Sequence, residues 1–223
     1  MDALIFDVFG TCVDWRGSVA REVAAVLPDV DALAFADAWR GEYQPAMERI
    51  RSGGRGYVAL DVLHRENLGI VLDRFGVSCD DADGLNTAWE RLDPWPDVVA
   101  GLKAMRATHL IAPCSNGSIG MMARLARHTG LHWDCILGAE IARDYKPKPD
   151  VYLASCAALR LSPRRVTMVA AHNGDLHAAR EAGLRTAFVP RPTEHGAGQT
   201  TDLAPDADWD LVAADFTALA ALL

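Results

Sequence analysis

A carboxylate follows the first apolar run of the chain, at a position suited to chemistry. Ala3–Phe6 is typical of a short buried strand, Asp7 comes directly after it, and Gly10 and Thr11 break the apolar pattern. Open α/β sheets bind their ligands at the carboxyl ends of the strands, which is where Asp7 is expected. Taken alone, Asp7 could instead cap the next element of secondary structure. Polar residues elsewhere in the chain are therefore needed to distinguish a functional carboxylate from a capping one.

Two further segments bring an anion site and a cation to the same expected edge. Ser115 and Asn116 follow the apolar run 109–114 and precede a helix, whose free backbone N–H groups suit an anion such as a carboxylate. An isolated motif of this kind is more often a simple N-cap. Lys146 directly precedes Pro147, and this rigid turn holds the backbone while the ammonium is aimed.

The fourth segment places an acid and a histidine after another apolar run. Asp175 follows residues 166–171 and opens a helix, so it either caps that helix or joins a site at the sheet edge. His172 precedes it and supplies either a hydrogen-bond donor or a base near neutral pH. No other histidine has a spacing that suits a shared metal, so no metal site is predicted.

The elements that would position these residues alternate between strand and helix. Four apolar runs beyond residue 93 read as strands: 109–114, 135–138, 166–171 and 184–189. Their alternation with helical segments predicts a Rossmann-like, doubly wound parallel sheet of the α/β class. Residues 16–92 show apolar residues at helical spacing and no convincing strand. We therefore expect an α/β core domain of residues 1–15 and 93–223 with an inserted, all-helical cap domain of residues 16–92.

The bulk composition argues against several classes of partner. The 223-residue chain has 22 basic and 30 acidic residues and a net charge of −8, so no nucleic-acid or membrane partner is expected. Its five cysteines are scattered without a C-x-x-C pair, which predicts reduced thiols, no zinc site and no disulfide framework. No basic leader and no apolar stretch of about 20 residues is present, and we expect a cytoplasmic protein.

Together, the four segments resemble the signatures of the haloacid dehalogenase superfamily, in the family's order. The resemblance implies a haloacid dehalogenase-like fold in which Asp7 is the nucleophile, Thr11 and Lys146 hold it, and Asp175 orients the lysine and the hydrolytic water. Phosphatases of the superfamily carry a second acid where this chain has Phe9, and an aromatic ring supplies no proton to a leaving oxygen. The stretch DVFGT, which begins at Asp7, is similar instead to the L-2-haloacid dehalogenase branch, which works without a metal.

A second feature of that branch lies in the expected cap. Trp39, Arg40 and Tyr43 match the branch's Trp-Arg-x-x-Tyr stretch, whose arginine receives the departing halide in relatives. A guanidinium suits this role because it is always charged and weakly hydrated. The alternative is an amphipathic helix with Arg40 in solvent. The chain departs from the branch at Ala170 and His172, where relatives carry serine and asparagine.

The resemblance implies hydrolytic dehalogenation of short (S)-2-haloalkanoic acids to (R)-2-hydroxy acids through an ester on Asp7, with no metal and no cofactor. The substrate carboxylate would meet backbone N–H groups and the Ser115 hydroxyl, and cap motion would gate the site. Expected partners are the haloacid and the halide ion, and apolar cap helices favour a homodimer. The implied catalytic residues are Asp7, Thr11, Arg40, Lys146 and Asp175, and the implied substrate-binding residues are Val8, Phe9, Arg40, Ser115, Asn116, Tyr152, His172 and Asn173.

Two alternative functions stay open at this point. One is a phosphatase of the same superfamily, or another of its hydrolases that acts on a small carboxylic acid. The other is a non-catalytic binding or sensing protein built on the same fold. Halide release from haloacids and phosphate release from a phosphate ester distinguish these functions.

Overall fold

The computed structural model describes residues 2–223 and contains one parallel sheet and one small antiparallel pair of strands. The strands of the described chain are β1 (Ala3–Phe6), β2 (Val13–Asp14), β3 (Asp93–Pro94), β4 (Leu110–Ser115), β5 (Leu137–Gly138), β6 (Val166–Ala170), β7 (Arg185–Phe188) and β8 (Leu211–Val212). Six of them form the parallel sheet in the order β5-β4-β1-β6-β7-β8. The predicted doubly wound α/β sheet is confirmed.

Helices cover the two faces of this sheet and form the insert between β2 and β3. The α-helices are α1 (Trp15–Val26), α2 (Ala32–Gly41), α3 (Tyr43–Gly53), α4 (Leu60–Phe75), α5 (Ala82–Asn86), α6 (Val98–Arg106), α7 (Ile119–Thr129), α8 (Ala139–Ala142), α9 (Pro149–Ala158), α10 (Asn173–Glu181) and α11 (Phe216–Leu222). Short 3₁₀ turns occur at Thr87–Glu90 and Pro163–Arg165. Over residues 2–223, none of the helices combines the length and apolar character that a bilayer crossing requires.

The central strand β1 is buried on both faces, as parallel strands between helical layers are. Leu4 and Phe6 pack into one hydrophobic cluster, whereas Ala3 and Ile5 pack into the other, because successive side chains point to opposite faces. β1 pairs in parallel with β4 on one side and with β6 on the other. The residues that follow these three strands therefore emerge at one edge of the sheet.

A two-residue antiparallel pair lies where the chain leaves the sheet region and where it returns. Val13 pairs with Pro94 and Asp14 with Asp93, so β2 and β3 join the two ends of the helical insert. Five α-helices, α1 to α5, lie between these strands. The division into a core of residues 1–15 and 93–223 and a cap of residues 16–92 stays a proposal, and its boundaries fall beside this pair.

Several element ends differ from those that the apolar patterns predict. Apolar spacing predicts a single helix through Phe35 and Met47, but the chain ends α2 at Gly41 and begins α3 at Tyr43. The apolar spacing continues across this break, and the sequence marks it only by Gly41 and by Pro45, which fits the first turn of α3 but not the interior of a single helix. The predicted strand 135–138 shortens to β5, because only its last two residues pair with β4.

Candidate active site

Asp7 is the first side chain beyond β1, and neighbouring elements hold both of its oxygens. Its Oδ1 accepts a hydrogen bond from Lys146 Nζ at 2.7 Å, and its Oδ2 accepts one from Thr11 Oγ1 at 2.7 Å. The Thr11 hydroxyl is itself fixed, since it accepts a hydrogen bond from the N–H of Ala171 at 2.9 Å. The carboxylate is therefore held in one orientation between β1, β6 and the turn at Lys146.

The electrostatic surroundings keep Asp7 ionised. Burial alone would raise the pKa of Asp7, but the Lys146 ammonium and the His172 imidazole outweigh burial and hold that pKa well below its usual range. Burial would lower the pKa of Lys146, but the Asp175 and Asp7 carboxylates outweigh it and raise that pKa well above its usual range. An ionised carboxylate beside a permanent ammonium is a chemically competent nucleophile.

Lys146 is aimed by a hydrogen-bond chain that runs through α9 and α10. Its Nζ donates to Asp175 Oδ2 at 2.6 Å, and the Tyr152 hydroxyl donates to Asp175 Oδ1 at 2.5 Å. The backbone N–H of Lys146 donates to Asn116 Oδ1 at 2.7 Å, which ties this turn to the end of β4. Asp175 does not cap α10, which begins at Asn173, and its carboxylate instead orients the lysine.

His172 lies between two carboxylates, and one of them is a residue that the sequence did not indicate. Its Nδ1 lies 3.2 Å from Asp7 Oδ2, and its Nε2 lies 2.8 Å from Glu194 Oε2. Burial lowers the pKa of His172, but hydrogen bonds to Asp7 and Glu194 outweigh burial and raise it well above its usual range. Glu194 lies in an irregular loop with no apolar period, and its position after the last long strand was the only available signal.

The helical insert contributes a cation to the site. The Arg40 guanidinium stacks 3.9 Å from the centre of the Tyr43 ring and lies 5.6 Å from that of Trp15. Arg40 is half-buried, and no carboxylate of residues 2–223 forms an ion pair with it. This placement differs from a solvated arginine on an amphipathic helix and leaves the positive charge available to a ligand.

A cavity of about 380 Å³ lies among these side chains. Asp7, Asn116, Lys146 and His172 line it from the loops and turns of the sheet region, and Arg40 and Tyr43 line it from the helical insert. Phe9 also lines it, and its ring packs against His64 and Trp89, with centroids 6.3 and 5.9 Å away. The cavity has the size of a small-molecule site and presents cations to a bound anion.

Four of the predicted substrate-binding side chains do not line this cavity: Val8, Ser115, Tyr152 and Asn173. The Ser115 hydroxyl instead accepts a hydrogen bond from the N–H of Gly117 at 3.1 Å, so it is turned into its own loop. Asn173 is tied to the C-terminal loop, where its Oδ1 accepts from Trp209 Nε1 at 2.9 Å. Val8 packs in the core, and Tyr152 reaches the site only through Asp175.

Comparisons with known proteins agree with this geometry. The family model of the haloacid dehalogenase-like hydrolases matches residues 1–183. (S)-2-Haloacid dehalogenase 4A of Burkholderia cepacia is 27% identical and is matched over 96% of this chain and 96% of its own. The crystal structure of the defluorinating L-2-haloacid dehalogenase Rha0230 has 49% identity and a TM-score of 0.97, with 100% of this chain and 95% of that chain covered. For the L-2-haloacid dehalogenase PA0810, the identity is 44%, the TM-score is 0.96, and the coverage is 100% and 98%.

Proposed function

The chain belongs to the haloacid dehalogenase-like hydrolases, among the L-2-haloacid dehalogenases, and we propose that it hydrolyses short (S)-2-haloalkanoic acids to (R)-2-hydroxy acids through an ester on Asp7. The observation that carries this proposal is the pairing of a nucleophile and an anion acceptor in one cavity. An ionised, buried Asp7 and the Arg40 guanidinium of the insert line the same cavity. A held carboxylate and a cation that can accept the leaving anion are the two groups that an in-line displacement of halide needs.

In the first step, an oxygen of Asp7 attacks the α-carbon opposite the halogen. A carbon–oxygen bond forms as the carbon–halogen bond breaks, and the halide leaves with the bonding electron pair. Attack from the rear inverts the configuration at carbon. Positioning of this kind lowers a barrier by about 7–11 kcal/mol in favourable cases, and Lys146 and Thr11 supply it by fixing the carboxylate.

Two side chains of the cavity suit the negative charges of the substrate. Arg40 would receive the halide, because a weakly hydrated guanidinium stabilises developing charge at low cost of desolvation. The amide of Asn116 would meet the substrate carboxylate, since it lines the cavity beside the Tyr43 hydroxyl and its Nδ2 contacts the Met47 sulfur, a weak acceptor, at 3.5 Å. This role replaces the one expected for the Ser115 hydroxyl.

A chemistry that needs no metal is part of the proposal and rests on Phe9. A phosphatase of this superfamily would have a carboxylate at that position, and the ring of Phe9 instead packs into an aromatic wall. Halide release measured with excess chelator tests this point, and we expect an unchanged rate. Turnover of p-nitrophenyl phosphate that requires magnesium, without halide release, would favour the phosphatase.

The Asp7→Asn variant tests the nucleophile. We expect halide release from chloroacetate and (S)-2-chloropropanoate to fall by at least about 10⁴-fold, because effective molarities of 10⁵–10⁸ M for a placed nucleophile are lost. Asp83→Asn is the matched control, since the Asp83 side chain is 88% exposed on the insert, and it should keep full activity. Near-normal turnover in Asp7→Asn would show that another group attacks the carbon.

A homodimer and a reducing, cytoplasmic location remain parts of the same proposal. The insert exposes Val26, Leu33, Val62 and Ile70, which supports self-association of that surface. The five cysteines carry free thiols, as proteins of reducing compartments do. Light scattering tests the first point and cell fractionation the second.

A further inference from the structure

We propose that His172 is the base that activates water for hydrolysis of the Asp7 ester, and that Glu194 positions His172 and holds its charge. The inference rests on the proposed ester chemistry and names the residues that carry out its second step, hydrolysis of the ester. It also includes a trigger, because formation of the ester removes the negative charge of Asp7 and thereby converts His172 from a bound cation into a base.

The geometry around His172 leaves one nitrogen facing the reacting group and anchors the other. Nδ1 lies 3.2 Å from Asp7 Oδ2, and Nε2 lies 2.8 Å from Glu194 Oε2. His172 and Asp7 both line the cavity, so a water molecule from the cavity has access to both. A base that acts through one water needs this kind of proximity to the ester carbonyl.

The buried side chain of Glu194 is held in place by a hydrogen bond and by the space beside a glycine. Its side chain is only 2% exposed, and its Oε1 accepts a hydrogen bond from Trp15 Nε1 at 2.9 Å. The absence of a side chain at Gly10 makes room for it, since a Cβ there would lie 2.1 Å from Oε1. A buried carboxylate is costly unless it is paired, and the partner that it faces inside the site is His172.

In the resting enzyme, His172 cannot act as a base. With carboxylates at both nitrogens it is an imidazolium, whose two N–H groups leave no lone pair for a proton. The charged groups nearby are Lys146, bound to Asp7, and the Arg40 guanidinium in the same cavity, and the titratable His195 ring lies 3.7 Å from Glu194 Oε1. The Lys146 and Arg40 cations disfavour a charged His172, so its charge depends on Asp7 and Glu194 together.

Alkylation of Asp7 changes this balance. The ester carries no charge, so His172 keeps only Glu194 as a counterion and releases the Nδ1 proton to solvent. Neutral His172 then takes a proton from water as the hydroxide oxygen bonds to the ester carbonyl carbon. The intermediate collapses, its hydroxyl proton passes to the departing alkoxide, and Asp7 returns as a carboxylate beside a protonated His172. One turnover thus consumes one water and releases one halide and one proton.

Asp175 is less suited to be this base, although it is the other acid in the site. Its two oxygens are occupied by Lys146 Nζ at 2.6 Å and by the Tyr152 hydroxyl at 2.5 Å. Neither of these partners leaves when Asp7 is alkylated. Asp175 therefore keeps the lysine in place through both half-reactions, and His172 is the group whose protonation the ester controls.

Rapid-quench experiments with chloroacetate test the assignment in His172→Gln and Glu194→Gln. We expect each variant to release about one equivalent of chloride quickly and then to stall, with turnover in His172→Gln lower by about 10²–10⁴-fold, the usual contribution of a general base. Intact-mass spectrometry should show the carboxymethyl ester on Asp7. Glu194→Gln should lose less, because the base remains and only its counterion is gone.

The pH profile separates positioning by Glu194 from a structural role. Ester hydrolysis needs neutral His172, so its rate rises with pH through the pKa of His172 in the ester. Removal of the Glu194 charge lowers the pKa of His172 in the ester. In Glu194→Gln, the rise of the hydrolysis rate with pH should therefore occur at lower pH, and the maximal rate at high pH should be smaller. Glu194→Asp, which keeps a carboxylate, should recover part of both effects.

Matched variants control for folding. His177→Gln removes a histidine paired with a carboxylate, Asp206, at the surface, and it should turn over like the wild type. His172→Asn provides a second variant if His172→Gln unfolds, and circular dichroism checks both.

Two results overturn the inference: unchanged turnover in the His172 variants, or folded variants that lose the chloride burst and form no ester. A wild-type protein that releases no halide contradicts the proposed function itself, and the inference falls with it.

Discussion

At the scale of single residues, Asp7 meets a hydrogen-bond donor or cation from each of three places in the chain. Thr11 comes from the turn after β1, Lys146 from the proline-flanked turn, and His172 from the end of β6. A carboxylate with this many partners loses little rotational freedom on attack, because its orientation is fixed in advance. The two cationic partners also keep the carboxylate ionised, so the groups that position Asp7 also maintain its nucleophilic form.

Arg40 is the residue on which we expect halide departure to depend. Arg40→Met should lower halide release by about 10²–10³-fold, the loss typical of removing one group that stabilises developing charge. Arg40→Lys keeps a positive charge but not the planar stacking on Tyr43, at 3.9 Å, and should recover only part of the rate. Single-turnover halide measurements give both values.

Arg49→Met is the control for this pair. Its side chain is 54% exposed, and its nearest carboxylate, Glu42, is 4.0 Å away. We expect it to leave the rate unchanged. If Arg40→Met and Arg49→Met behaved alike, the halide would leave by another route.

The position directly after an apolar strand indicates a candidate site residue, but it does not indicate where the side chain of that residue points. Asp7 and Asn116 have this signal, and the structure brings both to the cavity. Ser115 and Asn173 carry the same signal, but their side chains are turned away by the local partners Gly117 and Trp209. Those hydrogen bonds depend on loop geometry, which no residue spacing reveals.

At the scale of elements, the turn between β1 and β2 depends on a glycine. Gly10 has φ of +88°, and a Cβ at this position would lie 2.1 Å from Glu194 Oε1. The turn is also fastened from the far end of the chain, since Arg191 Nε donates to the Thr11 carbonyl at 2.9 Å. Arg191 in turn forms a two-pronged ion pair with Asp97.

Gly10→Ala is expected to affect both stability and activity. The left-handed backbone alone costs about 1–2 kcal/mol for a residue with a side chain, and the collision with Glu194 adds about 1–3 kcal/mol, as overpacking does. Gly54→Ala is the matched control, because Gly54 has φ of +70° and open space around its Cβ position. Urea unfolding and halide release together distinguish them.

Gly54→Ala should lose only the stability that the left-handed backbone costs an alanine, and it should keep full activity. Equal losses of stability and activity in the two variants would mean that Glu194 does not depend on the room left by Gly10.

Element types could be predicted from the sequence, whereas the shortest strands could not. β1 is a continuous apolar run and β6 is interrupted only by Thr167, as is typical of central parallel strands. β2, β3 and β8 each have two residues, which is too short for any period to appear. The break between α2 and α3 does not appear in the apolar spacing, which Phe35, Trp39, Tyr43 and Met47 continue across it, and only Gly41 and Pro45 signal it.

At the scale of the whole molecule, the helical insert is tied to the turn that carries Lys146. Arg51 Nη2 donates to the carbonyls of Tyr145 and Lys146 at 3.1 and 2.9 Å. The Tyr145 hydroxyl donates back to the carbonyl of Val58 at 2.5 Å. The position of the insert and the position of the Lys146 ammonium are therefore coupled.

Arg51→Met should weaken this link. Hydrogen bonds to a charged group are worth about 1.5–3 kcal/mol, so we expect a KM increase of about tenfold or more, since 1.4 kcal/mol corresponds to a factor of ten. Hydrogen exchange over residues 43–58 should also accelerate.

Arg55→Met is the control, because the Arg55 side chain is 52% exposed and pairs with the exposed Glu66. Exposed pairs of this kind contribute little to stability. An unchanged KM in Arg51→Met would mean that the insert is held by its apolar contacts alone.

Three of the six tryptophans are buried directly behind the side chains that line the cavity, and this gives the protein a built-in optical reporter. Trp15 donates a hydrogen bond to Glu194, and its ring lies beneath the Arg40 guanidinium. The same ring stacks on Trp89, which contacts Trp39 edge to face. Heavy halides quench indole emission on contact. Iodide or bromide retained after cleavage should therefore dim the intrinsic fluorescence, so that product departure can be followed in real time without a dye.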